Sequence, residues 1–213
     1  MKDIIKYIFF IILIVISQIT FGQTRFIDSL KTLLKTVKAD TNGANTYAEL
    51  AWELSSFNVD SSLLLIKKSA AISRKLKWEA GIAMSYHVSG TIYMRKNNFD
   101  SSKYYLSKAL IIRAALMKSK DKSVAKYATK MYAMTLSNIG VLYWEKGNYT
   151  EALKMYFKAL KIAESIHNNN GIIDYLINIG IIMYEMNDID KSINYYYKAL
   201  LRVKDSSDFK RRS

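Results

Sequence analysis

The stretch NIGVLYWEKGNYTEALKMYFKALKI, residues 138–162, decides the fold of this chain. Its apolar residues recur at helical spacing on both sides of the Gly–Asn pair at 147–148, which is typical of a turn. Gly140 is a small residue placed where two helices would touch. The stretch therefore predicts two amphipathic helices, Ala133 to Lys146 and Tyr149 to Ser165, joined by a short turn.

Three series of small residues recur with matching spacing along the chain. The series that contains Gly140 has intervals of 39, 50 and 40 residues, and the other two have intervals of 40, 50 and 40. Their members are Ala51, Gly90, Gly140 and Gly180; Ser62, Ser102, Ala152 and Ser192; and Ser69, Ala109, Ala159 and Ala199. Self-similarity of this kind indicates an array of repeated helix pairs.

The turn inside each pair also repeats its chemistry. A short polar residue precedes each second helix, where its side chain can accept hydrogen bonds from the free N–H groups of the first turn. An apolar residue follows it and can cover the junction between the helices. The caps are Asn58, Asn98, Asn148 and Asp188, and the apolar residues are Val59, Phe99, Tyr149 and Ile189.

These features resemble those of the tetratricopeptide repeat. The quoted stretch has the packing residues of that family at Gly140, Tyr143, Gly147, Tyr149, Ala152, Tyr156 and Ala159. The stretches VSGTIYMRKNNFDSSKYYLSKALII from Val88 and NIGIIMYEMNDIDKSINYYYKALLRV from Asn178 resemble it with serine replacing one alanine. The first unit, from Asn45 to Leu76, is the weakest copy, since Ala51 replaces the glycine and its turn is one residue shorter.

The resemblance implies an all-α fold, a right-handed superhelical α-solenoid of about four helix pairs with an N-terminal capping helix. We expect that helix at Arg25 to Lys38, because its apolar residues form a single stripe. The expected organisation is a signal peptide at 1–22, a capping helix and linker at 23–43, an array at 44–206 with units near 45–77, 83–117, 133–166 and 173–206, and a basic tail at 207–213.

The chain departs from the family pattern in three ways. Its repeats are close to 40 residues long, whereas the familiar repeat has about 34. In this length the chain resembles the tetratricopeptide variants found in the sensor regions of histidine kinases and regulators. The closing proline of the family is missing, because the chain has no proline. Ten extra residues around 118–130 either lengthen the facing helices or form a charged bulge on the surface.

The first 22 residues have the layout of a secretory signal peptide. Two lysines precede ten unbroken apolar residues from Tyr7 to Ile16, and the small residues Thr20 and Gly22 suit cleavage before Gln23. An uncleaved N-terminal anchor is the alternative, although ten apolar residues are few for a spanning helix, which needs about 20. In both cases we expect the body to be exported, as a periplasmic or secreted protein, with no integral membrane domain if the signal is cleaved.

The composition argues against several classes of function. With no cysteine, the chain has no disulfides, thiolate metal sites or cysteine nucleophiles. The formal charge of +14 invites nucleic-acid binding, but the lysines are spread along the chain instead of forming a basic stripe, so we expect none. His87 and His167 are far apart, and no catalytic or metal-binding motif is present. We therefore expect no enzyme, no catalytic residue, no metal and no cofactor.

In the tetratricopeptide family the first helix of each unit lines a concave groove that cradles a peptide or a partner helix. Carried over by position relative to the repeat glycine, the resemblance implies groove residues on three helices. They are Met84, His87, Thr91, Met94 and Arg95; Met134, Ser137, Asn138, Val141, Trp144 and Glu145; and Asp174, Ile177, Asn178, Ile181, Tyr184 and Glu185.

Several of these residues have two interpretations at this point. Asn138 and Asn178 either present amides to a bound backbone or serve packing between units. Trp144 and Tyr184 are either rigid anchors for a partner or side chains buried between units. Sequence alone does not choose between them.

The leading function is a protein–protein interaction scaffold that binds a protein or peptide partner in the groove. The alternative is the sensory input region of a signalling protein, of histidine kinase or transcriptional regulator type, truncated before its output domain. The last unit leaves Ile193, Tyr196 and Leu200 without a covering helix, which makes self-association through this end a further expectation.

Overall fold

The computed structural model describes residues 38–212 together with residues 28, 29, 32, 35 and 36, with side chains as far as residue 204. Residues 38–212 form eight α-helices and no strand. The helices are α1 Thr41–Leu54, α2 Val59–Lys75, α3 Glu79–Arg95, α4 Phe99–Leu116, α5 Lys122–Glu145, α6 Tyr149–Ser165, α7 Asn169–Glu185 and α8 Ile189–Arg212. The expected all-α repeat solenoid is confirmed.

The helices form two layers. Each helix packs against the next one along the chain, and the first helices of the pairs, α1, α3, α5 and α7, also contact one another in that order. In the described part of the chain, the backbones of the second helices α2, α4, α6 and α8 lie farther apart, with no Cα–Cα distance of 8 Å or less between them. The first helices therefore form the closer, concave layer, and the second helices form the convex one.

Five of the seven turns between the described helices share one geometry. In each of these the residue before the N-cap has a left-handed backbone, and the N-cap N–H donates to a carbonyl five residues earlier, which is the Schellman arrangement. One example is Asn148, whose N–H lies 2.8 Å from the carbonyl oxygen of Tyr143. The left-handed residues are Lys77, Asn97, Gly147, His167 and Asn187. The unusual backbone of His167 thus belongs to a turn.

Side-chain caps fix the start of each second helix, as the sequence predicts. The side-chain oxygen of Asn148 accepts a hydrogen bond from the N–H of Glu151 at 3.2 Å, and Asn58 and Asn98 repeat this at 2.9 and 3.0 Å. Asp188 accepts from the N–H of Lys191 at 3.2 Å. The polar residue that recurs in the sequence is therefore a helix cap in all four units.

The repeat glycines allow the two helices of a pair to approach closely. A Cβ atom on Gly140 would lie 2.8 Å from the ring of Tyr156, and one on Gly180 would lie 2.6 Å from the ring of Tyr196. Gly90 meets Leu106 in the same way, at 2.6 Å. These contacts set the spacing of the layers, since only a residue without a side chain fits there.

The insertion lengthens a first helix. α5 begins at Lys122 and runs for 24 residues, compared with 17 in α3 and in α7. Asp121 caps its start, because its carboxylate accepts from the N–H of Ser123 at 2.8 Å. The extra residues therefore extend the concave layer of the third unit by two turns.

The two ends of the chain differ in how much is described. The expected signal peptide at 1–22 lies outside the described residues, as does most of the expected capping helix at 25–38. α1 begins at Thr41, four residues before the expected start of the first unit. α8 exposes a row of apolar side chains, including Ile193, Tyr197 and Leu200. In the described part of the chain, no helix combines the length and apolarity that crossing a bilayer requires.

Candidate partner-binding groove

Two pockets lie next to each other along the first helices. The first, here called the Trp52 pocket, has a volume of about 440 Å³ and lies between α1, α3 and α5. It is lined by Ala48, Glu49, Trp52, Glu53, Met84, His87, Val88, Met134 and Asn138. Its walls are mainly apolar, with two carboxylates on the α1 side.

The second pocket, here called the Asp174 pocket, has a volume of about 510 Å³ and lies between α5 and α7. It is more polar, and it is lined by Lys130, Met131, Met134, Ser137, Asn138, Asn168, Asn170, Gly171, Asp174, Tyr175, Ile177 and Asn178. Met134 and Asn138 line both pockets. The two pockets are therefore adjacent along one groove and lie on either side of the ridge that α5 forms.

A buried polar cluster supports the wall of the Trp52 pocket. Nδ1 of His87 lies 3.2 Å from Oγ1 of Thr135 and 3.2 Å from Nη1 of Arg113. The same guanidinium nitrogen donates to the carbonyl oxygen of Met131 at 2.8 Å and to Thr135. Nε2 of His87 lies 3.3 Å from Nδ2 of Asn138. Side chains from α3, α4 and α5 are thereby tied together behind the groove.

Burial determines the protonation of this cluster. It lowers the pKa of His87 well below its usual value, and the charge of Arg113 lowers it further. Burial also lowers the pKa of Arg113 to about 10, so the guanidinium stays charged at neutral pH. His87 is therefore neutral, and its ring has one donor and one acceptor nitrogen for its neighbours.

Two asparagines connect neighbouring first helices in the same register. Asn138 lies two residues before Gly140 and contacts His87, which lies three residues before Gly90. Asn178 lies two residues before Gly180, and its Nδ2 donates to Oγ of Ser137 at 3.3 Å. Each asparagine thus has one hydrogen bond to the preceding unit and still lines a pocket, so it serves packing while facing the groove.

Asp174 is the acidic group of its pocket. Partial burial raises the pKa of its carboxyl group above the usual value. The pKa of the neighbouring Tyr175 is raised mainly by that residue's own burial and further by the negative charge of Asp174. Ile177 lies one turn along α7, next to Asn178, so apolar, amide and carboxyl groups alternate on this side of the groove.

The sequence of the second half of the chain matches a known family model. Residues 131–202, which run from within α5 into α8, match the model of the tetratricopeptide repeat. This part of the chain therefore contains tetratricopeptide repeats. No curated protein sequence matches the chain.

Solved structures with tetratricopeptide-like folds superpose on this chain at low identity. BtubC from P. vanneervenii has a TM-score of 0.62 at 19% identity, covering 79% of this chain and 66% of that one. Aspartyl phosphate phosphatase F from Bacillus subtilis has a TM-score of 0.71 at 16% identity, covering 87% and 46%. NprR in complex with its cognate peptide NprX has a TM-score of 0.65 at 20% identity, covering 86% and 52%. The chain spans about half the length of the last two. At these identities the likeness is one of fold.

The tetratricopeptide groove contains about half of the residues expected from the sequence. The side chains that line its pockets are Met84, His87, Met134, Ser137, Asn138, Asp174, Ile177 and Asn178. They come from the middle of the first helices. They comprise every expected residue that precedes a repeat glycine, and none that follows one.

The other expected residues lie outside the two pockets. Thr91 is buried and donates to the carbonyl oxygen of Val88, and Met94 packs against a core cluster at Leu106. Val141 and Trp144 pack against the core of the third and fourth units. Arg95 lies over the Trp52 ring and bonds Ser56. Ile181 is half-buried, whereas Glu145, Tyr184 and Glu185 are exposed at helix ends.

The groove also includes residues that the sequence analysis missed. The main ones belong to α1, where Ala48, Glu49, Trp52 and Glu53 form a wall of the Trp52 pocket. The signal was present, because Ala48 and Trp52 are three residues before and one residue after Ala51, the positions used in the other units. Within the described residues, no group of three or more His, Asp or Glu side chains is placed to hold a metal ion.

Proposed function

We propose that the chain is a protein–protein interaction scaffold that binds an extended segment of a partner in the groove. The observation that carries this proposal is that the two pockets are adjacent and share Met134 and Asn138. Pockets of about 440 and 510 Å³ each have room for side chains, and their shared ridge lets one segment enter both. Peptide binding is the common use of such concave repeat surfaces.

The lining chemistry supports a peptide ligand. Met84, Trp52 and Met134 offer apolar surface, and methionine adapts its shape to different side chains. Asn138 and Asn178 are each held by one hydrogen bond, which leaves donors or acceptors of their amides for a bound backbone. NprR, which has a similar fold, is seen with its cognate peptide NprX. That likeness supports the same mode of use here.

Site-specific photo-crosslinking in the producing cell tests this function. A photoreactive amino acid replaces Ile177, which is partly exposed in the groove, and in a matched variant it replaces Ile111, which is exposed on the convex helix α4. We expect discrete adducts from position 177. We expect that none of these adducts forms from position 111. Identical adducts from both positions, or none from position 177, would contradict groove binding.

A sensory input region is the second candidate. It is favoured by the likeness in fold to NprR, which is seen with a cognate peptide and of which this chain spans about half. The crosslinking experiment separates the two candidates by the mass of the adduct. An added mass equal to that of a short free peptide favours the sensor. An added mass equal to that of a whole protein favours the scaffold.

We also propose that the protein has no catalytic activity and acts outside the cytoplasm. The only buried histidine, among the residues described, has its ring nitrogens against Arg113, Thr135 and Asn138, which leaves it poorly placed as a base. The export proposal rests on the layout of residues 1–22. A fusion of alkaline phosphatase to the C-terminus should be active in cells. An inactive but stable fusion would overturn the export proposal.

Self-association through the last unit stays a prediction. Ile193 and Leu200 are more than half exposed on α8, and Tyr196 is 40% exposed. Sedimentation velocity of the wild type and of Leu200→Lys tests it. A concentration-dependent dimer that Leu200→Lys abolishes would support it, and a monomer at all concentrations would exclude it.

A further inference from the structure

The Trp52 pocket combines apolar walls with negative charge. We propose that the segment bound in the groove presents a lysine or arginine side chain to this pocket, so that the partner is a basic peptide segment. The inference rests on the proposed peptide-binding function and adds the chemistry of the ligand. It rests on the negative charge of the pocket and on the difference in charge between the two layers of helices.

The two carboxylates of the pocket are free to pair with a ligand. Glu49 and Glu53 are four residues apart on α1 and therefore lie on one face of that helix. Neither makes a salt bridge to any residue between 38 and 204. Trp52, Met84 and Met134 form apolar surface in the same pocket. A lysine or arginine matches both features, because its aliphatic stem packs on apolar walls while its charged head reaches a carboxylate.

Charges are divided unequally between the helices of the two layers. The first helices α1, α3 and α7 carry the acids Glu49, Glu53, Glu79, Asp174 and Glu185 and the single base Arg95. The second helices α2, α4 and α6 carry ten lysines and arginines and four acids. In a chain with a formal charge of +14, the concave layer is thus the acidic one at three of its four helices. The exception is the lysine-bearing extension of α5.

The ion pairs strengthen this distinction. Four are formed within the described side chains, Lys96–Asp60, Lys146–Asp100, Lys154–Glu151 and Lys191–Asp188. Each of their acids lies in a second helix or in the cap before it. Four acids of the outer layer therefore already have a lysine partner within the protein itself. Those that line the two pockets, Glu49, Glu53 and Asp174, have no ion pair within the same residues.

The cations near the Trp52 pocket do not remove its preference for a basic side chain. Arg95 lies 5.3 Å from the centre of the Trp52 ring and is held by Ser56, so this indole already accepts a guanidinium. Arg113 lies behind the neutral ring of His87 and is buried. An acidic segment would have to place its charge against Glu49 and Glu53, whereas a basic segment would gain two favourable partners.

A displayed library of random 12-residue peptides tests the inference on the immobilised full chain. The charge variant is Glu49→Gln/Glu53→Gln. The matched control is Glu151→Gln/Glu164→Gln, which removes two negative charges from the convex helix α6. Peptides selected on the wild type are synthesised, and their affinities are measured by fluorescence anisotropy at low and high salt. We expect enrichment of lysine or arginine at one position flanked by apolar residues.

We expect the charge variant to bind these peptides about tenfold more weakly than the wild type, and the control to bind them within about twofold. Enriched peptides without a basic position, or acidic ones, would overturn the inference while leaving peptide binding intact. Basic peptides that lose affinity equally in both variants would also overturn it, because they would be held by overall charge. A selection that enriches no peptide on the wild type would contradict the proposed function itself.

Discussion

Nη1 of Arg113 lies 3.2 Å from Nδ1 of His87, and both side chains are only 3% exposed. The guanidinium is satisfied by the carbonyl of Met131 and by Thr135, with no ion-paired carboxylate within the described residues. A second positive charge on His87 would be repelled at this distance and would lack solvation. The wall of the Trp52 pocket therefore depends on His87 remaining neutral.

The stability of the fold should decrease as the pH is lowered, because of His87. Its pKa in the folded chain is below the value of about 6.5 expected when the chain is unfolded, so on acidification the unfolded state binds the proton first. The free energy of unfolding should be constant above about pH 7 and fall by up to about 1.4 kcal/mol per pH unit below 6.5. Urea denaturation between pH 7.5 and pH 5 measures this slope.

Two variants identify the source of the slope. His87→Gln should flatten it between pH 6.5 and pH 5, whatever its effect on stability at pH 7.5. His167→Gln should leave it unchanged, because His167 is exposed in a turn. An equal slope in wild type and His87→Gln would show that other groups control the acid response.

Gly140→Ala should destabilise the chain despite the better helix propensity of alanine. The new Cβ would lie 2.8 Å from the buried ring of Tyr156. Overpacking costs about 1–3 kcal/mol, and the gain in propensity is at most about 1 kcal/mol. In a Tyr156→Ala background the same substitution should be neutral or stabilising, since the ring is gone. Thermal denaturation of the four proteins gives the coupling energy, and simple additivity would refute the proposed clash.

Two serines that replace the family's alanine should respond in opposite directions. Oγ of Ser102 is buried with no hydrogen-bond partner, so Ser102→Ala should stabilise by about 1 kcal/mol. Oγ of Ser192 donates to the carbonyl oxygen of Gly180 at 2.9 Å, so Ser192→Ala should destabilise by about 1 kcal/mol. Chemical denaturation of the wild type and the two variants measures both changes in stability. Shifts of the same sign would contradict this assignment of the hydrogen bonds.

The fold could be predicted from the sequence because its determinants are local and repeated. Gly140, the cap Asn148 and their equivalents recur in register, and each acts within one helix pair. The sequence predicts the extension of α5 only as one of two alternatives, because a run of lysines between helices suits a helix as well as a loop. Its start is fixed by the carboxylate of Asp121, which bonds the N–H of Ser123.

The groove was less predictable because its walls come from different units. Positions before the repeat glycine identify His87 and Asn138, but the contact between them spans 51 residues. The role of Arg113 depends on partners on α3 and α5 that no local pattern connects. Trp144 follows its glycine by four residues, and in the structure it packs against the core. Glu49 and Glu53 were missed because the first unit matches the family least.

The most direct test of the central claim is the affinity of a library-selected peptide for groove and surface variants. Ile177→Arg places a charged side chain in the Asp174 pocket, and Ile111→Arg makes the same change on the exposed face of α4. Fluorescence anisotropy of the labelled peptide should show at least about tenfold weaker binding to Ile177→Arg and unchanged binding to Ile111→Arg, with both variants as helical as the wild type. Equal binding to all three proteins would contradict groove binding.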